Sequence, residues 1–252
     1  MPEGPEVQIT VDWLDKHYSG KTLLSVEILS AKFLKQSLNL PLCLKEVIAY
    51  GKRIFFNFGT QFLIFSLGMT GRFTTTSLFS VKLIFDFSGT KLYYNDARGF
   101  GFGIVESDAS QWITNNLGND PLREEIDDWS QVLYKNRNRQ LVVMLLDQKS
   151  IAGVGNYLKS EILYAAKLKP DRLVSSLSKD ESNLLLECIY DKIRTSYQHG
   201  GLTIKDFWSP DGNRGVFPIS VYSKKHDPLN NIVVRDTFKD NRTTYWVPEI
   251  QK

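Results

Sequence analysis

The sequence RIFFNFGTQFLIF, residues 53–65, contains two runs of aromatic and β-branched residues separated by Gly59-Thr60. Runs of this composition favour β-strands, and a short break with glycine favours a tight connection between them. The same pattern recurs in Val81–Phe87 and Leu92–Tyr94. Short strands from about Leu23 to Val105 therefore predict a β-sandwich or a β-barrel in the first half of the chain.

Helical periodicity appears on both sides of this β-rich segment. A helix is predicted from Pro5 to about His17, with Gly20 beyond its end. Apolar residues then recur at helical spacing in three groups: Val132 with Leu141, Val142 and Leu145; Leu158 with Ile162, Leu163 and Ala166; and the run from Leu184 to Tyr197. After Gly201, short strands are predicted at Val216–Tyr222, Ile232–Val234 and Thr243–Val247.

These changes of periodicity predict a chain built of several parts. The predicted parts are a β-sandwich domain at residues 1–118, a linker at 119–130, a helical domain at 131–210, and a loop with a β-ribbon at 211–252. The predicted fold class is α+β: a two-layered N-terminal β-sandwich with a flanking helix, then a C-terminal helical domain with a two-stranded antiparallel β-ribbon.

Composition narrows the classes of protein that this chain can belong to. Of its 252 residues 42% are hydrophobic, and no apolar run approaches the roughly 18 residues that a membrane span needs. The two cysteines, Cys43 and Cys188, are far apart, which argues against a disulfide framework. The acidic N-terminus lacks a basic leader, so we expect an intracellular protein of the nucleus or cytoplasm, not a secreted one. A net charge of +3 is too small to predict nucleic-acid binding by itself.

Pro2 would become the first residue if Met1 were removed, and its nitrogen would then be a secondary amine. An α-amino group titrates near 8, about two units below a lysine, so more of it is free base at neutral pH. When a secondary amine condenses with a sugar C1′, the iminium has no N–H proton to lose and remains an electron sink. That property suits cleavage of a glycosidic bond followed by elimination.

Two carboxylates, Glu3 and Glu6, follow Pro2. A carboxyl at Glu3 can protonate a ring oxygen or a leaving base as a general acid. Glu6, one helical turn further on, can orient the amine or shuttle protons. In a simpler interpretation, a proline and acidic residues at this position only suit the start of a helix and its dipole.

A glycine-containing turn at Ile151–Gly155 precedes a helix predicted to begin near Asn156. Backbone N–H groups at such a turn and helix start form an anion site. The turn lacks the Gly-Lys-Ser/Thr ending of a nucleotide-binding P-loop, and no Rossmann strand precedes it. The alternative is a corner between two helices that needs glycine for its backbone conformation.

Two segments together resemble one enzyme family. MPEGPE (residues 1–6) and AGVGNYLKSEIL (residues 152–163) are similar to the N-terminus and to the helix–two-turn–helix signature of the formamidopyrimidine-DNA glycosylase / endonuclease VIII family of base-excision repair. The second segment resembles the endonuclease VIII branch in particular. The resemblance implies a bifunctional DNA glycosylase and AP (apurinic/apyrimidinic) lyase, with Pro2 as nucleophile, Glu3 as general acid and no cofactor or metal.

The same resemblance implies residues that bind DNA phosphates around the lesion. Lys52 follows Gly51 at a predicted strand-edge turn. The resemblance implies that Lys52 binds a phosphate and that Lys52 and Glu6, together with Pro2 and Glu3, are catalytic residues. Asn156 would contact phosphates from the helix–two-turn–helix element, and Arg242 from the C-terminal ribbon. Without the resemblance, Lys52 and Arg242 are more simply interpreted as solvated surface residues.

Met69, Arg98 and Phe100 lie in two glycine-containing loops, LGMTGRF (residues 67–73) and NDARGFG (residues 95–101). An enzyme that flips a base out of a duplex must fill the gap, typically with apolar or planar side chains. The resemblance implies that these three side chains do so. The alternative is that Met69 and Phe100 are core residues, which is the commoner location for both types.

The C-terminal segment lacks the metal ligands that many members of the family carry. Those members bind zinc with four cysteines there, whereas this chain has none after Cys188. His226 alone cannot form a zinc site. The resemblance implies a zinc-less finger in which Val233, Phe238, Tyr245 and Trp246 hold the ribbon and position Arg242.

The loop at residues 212–222 is shorter than its counterpart in typical members of the family. That favours oxidised pyrimidines, hydantoins or ring-opened purines over 8-oxoguanine as substrates. The expected partner is double-stranded DNA with oxidised bases or abasic sites, with single-stranded DNA as a further substrate. We expect the chain to act as a monomer, without a membrane.

Three alternative functions remain open from the sequence. The first is a catalytically silent nucleic-acid-binding protein that uses the helix–two-turn–helix element, although the intact Pro2-Glu3 pair argues against it. The second is a helix-hairpin-helix glycosylase with its hairpin at Ile151–Gly155, although the strand-rich first half argues against it. The third is a non-enzymatic RNA-associated protein.

Overall fold

The computed structural model describes residues 1–126, 128–202 and 208–252. The chain divides into two compact units: a first unit of Met1–Asn115 with His199–Val216, and a second unit of Asn116–Gln198 with Phe217–Lys252. Residue 127 of the predicted linker and residues 203–207 of the predicted helical domain lie outside the described residues. The domain ranges given above, which kept residues 131–210 together, stay a prediction.

The first part of the chain is a helix followed by nine strands and a second helix. In chain order these are α1 (Gly4–Tyr18), β1 (Thr22–Ile28), β2 (Leu42–Cys43), β3 (Glu46–Tyr50), β4 (Arg53–Asn57), β5 (Phe62–Ser66), β6 (Arg72–Thr74), β7 (Val81–Phe87), β8 (Thr90–Asn95), β9 (Phe102–Glu106) and α2 (Ala109–Asn116). The strands predicted around Gly59-Thr60 and at Val81–Phe87 are confirmed, and the helix predicted from Pro5 corresponds to α1.

The strands form two antiparallel sheets that enclose one apolar core. One sheet has the order β2-β1-β7-β8-β6, and the other has the order β3-β4-β5-β9. Side chains from both sheets meet in the same buried cluster, among them Phe85 and Phe73 from the first sheet and Phe56 and Phe65 from the second. Alternation along β7 follows the two-residue period of a strand with one buried face. This is the predicted two-layered sandwich.

Helix α1 joins the sandwich through its apolar face. Val7, Val11 and Leu14 recur at helical spacing, are at most 2% exposed, and belong to the same core cluster as the sheets. The helix packs against β3 and β4. Helix α1 is therefore tied to the two strands whose connecting turn contains Lys52.

The second unit is mainly helical and ends in a ribbon. Its elements are α3 (Trp129–Asn136), α4 (Leu141–Leu146), α5 (Asn156–Ala165), a 3₁₀ turn at Val174–Ser176, α6 (Lys179–Gln198), β10 (Val234–Thr237) and β11 (Thr243–Trp246). The apolar residues grouped with Val132 in the sequence belong to two helices, because Val132 lies on α3 and Leu141 begins α4. None of the helices in the described part of the chain is long and apolar enough to cross a bilayer.

The strand predicted at Val216–Tyr222 is wrong. Only Val216 makes a single bridge, to Leu202, and the rest of the segment is irregular. The backbone N–H groups of Ser220, Val221 and Tyr222 instead donate to the Glu161 carboxylate at 2.9, 2.9 and 2.8 Å. A side chain of α5 thus provides the acceptors that a neighbouring strand would have provided.

The C-terminal ribbon forms where it was predicted, but its first strand begins later. β10 starts at Val234 instead of Ile232, and pairs in antiparallel register with β11 from Val234↔Trp246 to Thr237↔Thr243. The second strand agrees with the prediction of Thr243–Val247 to within one residue. The predicted α+β fold class is therefore confirmed for both units.

Candidate functional site

The start of α1 buries both carboxylates that follow Pro2. Pro2 is buried, Glu3 is 4% exposed and Glu6 is 1% exposed. Glu3 is the N-cap residue of α1 and forms a capping box with Glu6, whose Oε2 accepts a hydrogen bond from the Glu3 N–H at 2.7 Å. The capping box thereby fixes the backbone of Glu3, the residue that follows Pro2.

Glu6 connects α1 with the chain segment that follows α6. Its second carboxylate oxygen, Oε1, accepts the Leu202 N–H at 2.8 Å. Gly201 permits this approach, because its φ of +78° is left-handed and a Cβ there would lie 2.7 Å from Glu6 Oε1. Glu6 therefore fixes the backbone of Glu3 on one side and that of Leu202 on the other.

Lys52 lies in the two-residue turn between β3 and β4 and is half-buried. The next residue, Arg53, donates from Nη1 to Ser66 Oγ at 2.9 Å, and its guanidinium lies 5.3 Å from the centre of the Phe102 ring. Burial lowers the pKa of Arg53 from its ordinary value. Lys52 thus directly precedes an arginine whose guanidinium contacts β5 and β9.

The two glycine-containing loops of the first unit expose two of the three predicted void-filling side chains. Phe100 is 57% exposed, Arg98 is exposed and Met69 is half-buried. The Arg98 guanidinium lies 5.4 Å from the centre of the Phe100 ring, within reach of a cation–π contact. The interpretation of Phe100 as a core residue is therefore wrong, whereas its role in filling a gap stays a prediction.

A buried carboxylate, Asp96, ties these two loops together. Asp96 is 0% exposed and accepts hydrogen bonds from the Thr70 hydroxyl at 2.6 Å and from the Gly101 N–H at 2.8 Å. It also accepts the Arg98 N–H at 3.2 Å. One side chain therefore fixes the backbone around Arg98 and Phe100 to the loop that contains Met69.

Tight packing of the two loops leaves no room for larger residues near Asp96. A Cβ on Gly68, whose φ is +64°, would lie 2.5 Å from the Phe100 carbonyl carbon. Tyr94 donates from its hydroxyl to the Leu67 carbonyl oxygen and to Asp96 Oδ2, both at 3.3 Å. Burial, and then the neighbouring Asp96 charge, raise the pKa of Tyr94 well above its ordinary value.

In the second unit, Asn156 and Arg242 come from different elements but share one network. Asn156 is the first residue of α5, and its Nδ2 donates to the Thr243 carbonyl oxygen at 2.9 Å. Arg242 directly precedes Thr243 and is exposed. The predicted phosphate-binding residues of the helical element and of the ribbon are thus joined through one backbone carbonyl.

The ribbon is held by apolar packing and by a carboxylate. Val221, Val233 and Val247 form a buried cluster with Tyr245 and Tyr164 packed against it. The carboxylate is that of Asp227, which precedes β10. It accepts hydrogen bonds from the Leu229 and Asn231 N–H groups at 2.9 and 2.7 Å and from the Tyr164 hydroxyl at 3.0 Å.

These hydrogen bonds shift the pKa values of Asp227 and Tyr164. Burial alone would raise the pKa of Asp227, but the hydrogen bonds from Asn231 and Tyr164 outweigh it and lower that pKa. Burial and the hydrogen bond to Asp227 raise the pKa of Tyr164 to about 12. At neutral pH, Asp227 is therefore an ionised acceptor and Tyr164 is a protonated donor.

The residues of the ribbon do not fit a zinc ion. The chain has no cysteine after Cys188, and valine side chains occupy the interior of the ribbon's base. Across residues 1–126, 128–202 and 208–252, no group of three His, Cys, Asp or Glu side chains is placed to hold a metal. Of the four residues predicted to hold the ribbon, Val233 and Tyr245 join the apolar cluster, whereas the Trp246 ring packs 6.3 Å from Phe238.

Three charged residues that organise the site were not singled out from the sequence. They are Asp96 in the first unit and Lys159 and Asp240 in the second. Lys159 could have been noticed because it is three residues after Asn156 on one helix, on the same face. Asp96 and Asp240 lie in turns, where aspartate is common for local reasons, so their sequence signal is weak.

Comparison with protein families covers nearly the whole chain. Residues 1–102 match the model of the formamidopyrimidine-DNA glycosylase N-terminal domain, residues 117–207 match the H2TH domain, and residues 213–252 match the C-terminal domain. The formamidopyrimidine-DNA glycosylases of Carboxydothermus hydrogenoformans and Neisseria meningitidis are 30% and 31% identical to this chain, with 100% of each chain covered.

Solved structures agree with these matches. The crystal structure of MutM (Fpg) from Thermus thermophilus has a TM-score of 0.92 at 29% identity and covers 99% of this chain and 98% of its own. A Lactococcus lactis Fpg variant bound to DNA that contains Fapy-dG has a TM-score of 0.90 at 23% identity, which supports the fold alone.

A β-sandwich, an H2TH element and a C-terminal ribbon in this order define a DNA-repair glycosylase of the base-excision pathway. The chain belongs to the formamidopyrimidine-DNA glycosylase family, as the three domain matches and the full-length relatives show. It is accordingly a DNA N-glycosylase. Its assignment to the endonuclease VIII branch stays a prediction.

Proposed function

We propose that the chain is a bifunctional DNA glycosylase and AP lyase whose nucleophile is the secondary amine of Pro2 after removal of Met1. The observation that carries the proposal is the start of α1. Glu3 is buried there next to Pro2, and the Glu6 carboxylate accepts the Glu3 N–H in a capping box. A nucleophile with an adjacent, positioned acid is the arrangement that covalent glycosidic cleavage requires. No metal or cofactor enters this chemistry.

The proposed reaction runs through covalent adducts between Pro2 and the sugar. The Pro2 nitrogen attacks C1′ of the damaged nucleotide, the glycosidic bond breaks, and the base leaves with a proton from Glu3. Transfer of the N–H proton of the attacking amine to O4′ breaks the C1′–O4′ bond and gives a ring-opened iminium between Pro2 and C1′. Loss of a C2′ proton then expels the 3′ phosphate by β-elimination, and a second elimination expels the 5′ phosphate. Hydrolysis of the iminium returns the amine.

Access to C1′ requires that the damaged nucleotide leave the duplex. Flipping costs a few kcal/mol of stacking and pairing, and side chains that fill the gap offset part of it. Met69, Arg98 and Phe100 are suited to this role because Asp96 joins their loops and Phe100 is 57% exposed. Lys52 in the first unit, and Asn156 with Arg242 in the second, would bind phosphates beside the flipped nucleotide.

We further propose duplex DNA with oxidised bases or abasic sites as the substrate. Solved relatives include MutM in complex with DNA containing carbocyclic 8-oxo-G and Fpg in complexes with DNA containing THF or Fapy-dG. The short loop at residues 212–222 favours oxidised pyrimidines, hydantoins and ring-opened purines over 8-oxoguanine. Single-stranded DNA as a substrate and a monomeric enzyme belong to the same proposal.

The direct test is reductive trapping. The protein should become covalently attached to an oligonucleotide with an oxidised base when borohydride is present, because borohydride reduces the iminium to a stable amine. Peptide mapping should place the attachment at Pro2. An attachment at a lysine would contradict the proposed nucleophile, and lesion binding without any attachment would favour the catalytically silent alternative.

Replacement of Asp96 by alanine should weaken action on duplex DNA selectively. Without the carboxylate, the Gly101 N–H and the Thr70 hydroxyl lose their acceptor. The Arg98 N–H keeps only its 3.0 Å hydrogen bond to Thr70 Oγ1, so the connection between the two loops is weakened. Incision at a lesion in a duplex should fall by about tenfold, since part of the flipping cost is no longer offset. Incision of a single-stranded abasic oligonucleotide, which has no gap to fill, should change little.

Asp86 offers a matched control for that experiment. It also accepts a backbone N–H, from Gly89 at 2.8 Å, in a turn of the same unit. Asp86→Ala should lower incision of neither substrate. Equal losses on duplex and single-stranded DNA for Asp96→Ala would mean that Asp96 does not act through the gap-filling loops.

A further inference from the structure

Lys159 places a charged ammonium group in the interior of the second unit. Its side chain is 0% exposed, that of Asp240 is 2% exposed, and Lys159 Nζ lies 2.5 Å from Asp240 Oδ2. A buried charge is costly unless it is paired at close range, and most ion pairs lie in solvent for that reason. Four other ion pairs, such as Arg172 with Glu181, have side chains at least 20% exposed. The burial of this pair therefore needs a structural explanation.

The pair joins the two elements that carry the proposed phosphate-binding residues. Lys159 is three residues after Asn156 on α5, so both side chains lie on one face of the helix. Asp240 lies in the turn between β10 and β11, two residues before Arg242. The ion pair thus fixes that turn to the face of α5 that carries Asn156.

Contacts with α5 hold the backbone on both sides of Arg242. Before it, Asp240 binds Lys159 through Oδ2 and accepts the Arg242 N–H through Oδ1 at 3.3 Å. After it, the Thr243 carbonyl oxygen accepts the Asn156 amide at 2.9 Å. A shift of the turn along α5 would have to break both connections, so the position of Arg242 is set from α5.

Charge provides a second reason for the pair. An unpaired Asp240 carboxylate, two residues from Arg242, would repel the DNA phosphate that Arg242 is proposed to bind. Lys159 neutralises that carboxylate from the buried side. It does so without a cation at the surface that would compete with Arg242 for the same phosphate.

We propose that Lys159 and Asp240 are positioning residues, which hold Arg242 and Asn156 in one arrangement for binding a phosphate. The proposal rests on the proposed function, because it takes Arg242 and Asn156 as phosphate-binding groups. It adds a role for two residues that touch neither the sugar nor the base.

The test is a double-mutant cycle on binding. The probe is a duplex oligonucleotide with a tetrahydrofuran abasic analogue, and the variants are Lys159→Met, Arg242→Gln and their combination. Each single variant should weaken binding by about tenfold, the scale of one charge-assisted hydrogen bond. The combination should be hardly weaker than Arg242→Gln alone, because a misplaced arginine and a missing one lose the same contact. The slope of log affinity against log salt should fall by about one for all three variants.

Two further variants distinguish a loss of positioning from a loss of folding. Lys159→Met with Asp240→Asn leaves no buried unpaired charge, and should bind more tightly than Lys159→Met but less tightly than the wild type. Lys169→Met removes a lysine from an exposed ion pair with Asp171 in the same unit, and should bind like the wild type. Circular dichroism and thermal unfolding show which variants are folded at the assay temperature.

Independent, multiplying losses for Lys159→Met and Arg242→Gln would overturn the proposal. Wild-type affinity of the Lys159→Met and Asp240→Asn double variant would overturn it as well. These binding measurements do not use the chemistry of Pro2. A wild-type protein that binds lesion DNA but is not trapped by borohydride would refute the proposed function and leave the outcome for Lys159 readable.

Discussion

Replacement of Pro2 by glycine is expected to weaken borohydride trapping and to reduce lesion incision by about tenfold or more, because glycine keeps an N-terminal amine and a change of one pK unit in the protonation of its adduct is a tenfold effect. Glycine offers a primary amine, whose iminium can lose its N–H proton and become a neutral imine. A neutral imine is a poor electron sink, so both eliminations slow down. Incision of an oligonucleotide with an oxidised base, followed on a denaturing gel, measures the loss.

A protein that retains Met1 is the complementary variant. The Pro2 nitrogen is then an amide nitrogen, which is not nucleophilic, while every side chain of the site is kept. This protein should bind abasic-analogue DNA as tightly as the processed form and should not be trapped. Trapping that persists with Met1 in place would identify another amine as the nucleophile.

Replacement of Glu3 by glutamine should separate the two activities. Glutamine keeps a side-chain oxygen at the helix N-cap but cannot supply a proton to the leaving base. Excision of an oxidised base should therefore fall by about 100-fold or more, the usual contribution of a general acid. Incision at a preformed abasic site should be largely retained, because no base remains to be protonated. The comparison needs one enzyme preparation and two oligonucleotides.

Stability provides the control for this variant. The unfolding free energy of Glu3→Gln should lie within about 1 kcal/mol of the wild type, the usual scale of a cap substitution. A larger change would mean that the variant alters α1 itself. Equal losses on oxidised-base and abasic DNA would assign Glu3 to protonation of the sugar ring oxygen instead of the base.

The first unit could be predicted well because its signals are local. The strands β4 and β5 contain runs of aromatic residues bounded by glycine, and β7 alternates between buried and half-buried positions along its length. Helix α1 has its apolar residues on one face and a capping box at its start. In each case the residues that determine the element lie within the element.

Prediction failed where distant residues determine the backbone. The segment Val216–Tyr222 has the composition of a strand, yet the Glu161 carboxylate accepts its N–H groups from about sixty positions earlier in the chain. The Lys159–Asp240 pair also joins residues about eighty positions apart. Neither partner could be assigned from the spacing of apolar residues, because hydrophobic periodicity carries no information about which buried charges meet.

The proposed site residues come from short motifs, whereas the role of the residues that contact them does not follow from a motif. Pro2, Glu3 and Asn156 stand in recognisable segments of sequence. Asp96 stands in such a segment too, but its function is to accept hydrogen bonds from two loops at once. That function depends on loops that approach each other only after the sheets have formed.

The hydrogen bond from Leu202 to Glu6 has a practical consequence for dissecting this enzyme. Cutting the coding sequence after residue 115, where the first stretch of the first unit ends, would remove the N–H donor that one oxygen of the buried Glu6 carboxylate accepts. An amino-terminal fragment made in that way would contain Pro2 and Glu3 while lacking part of the scaffold around them. Complementation between two separately expressed fragments would therefore require the residues after α6 to be included with the amino-terminal fragment.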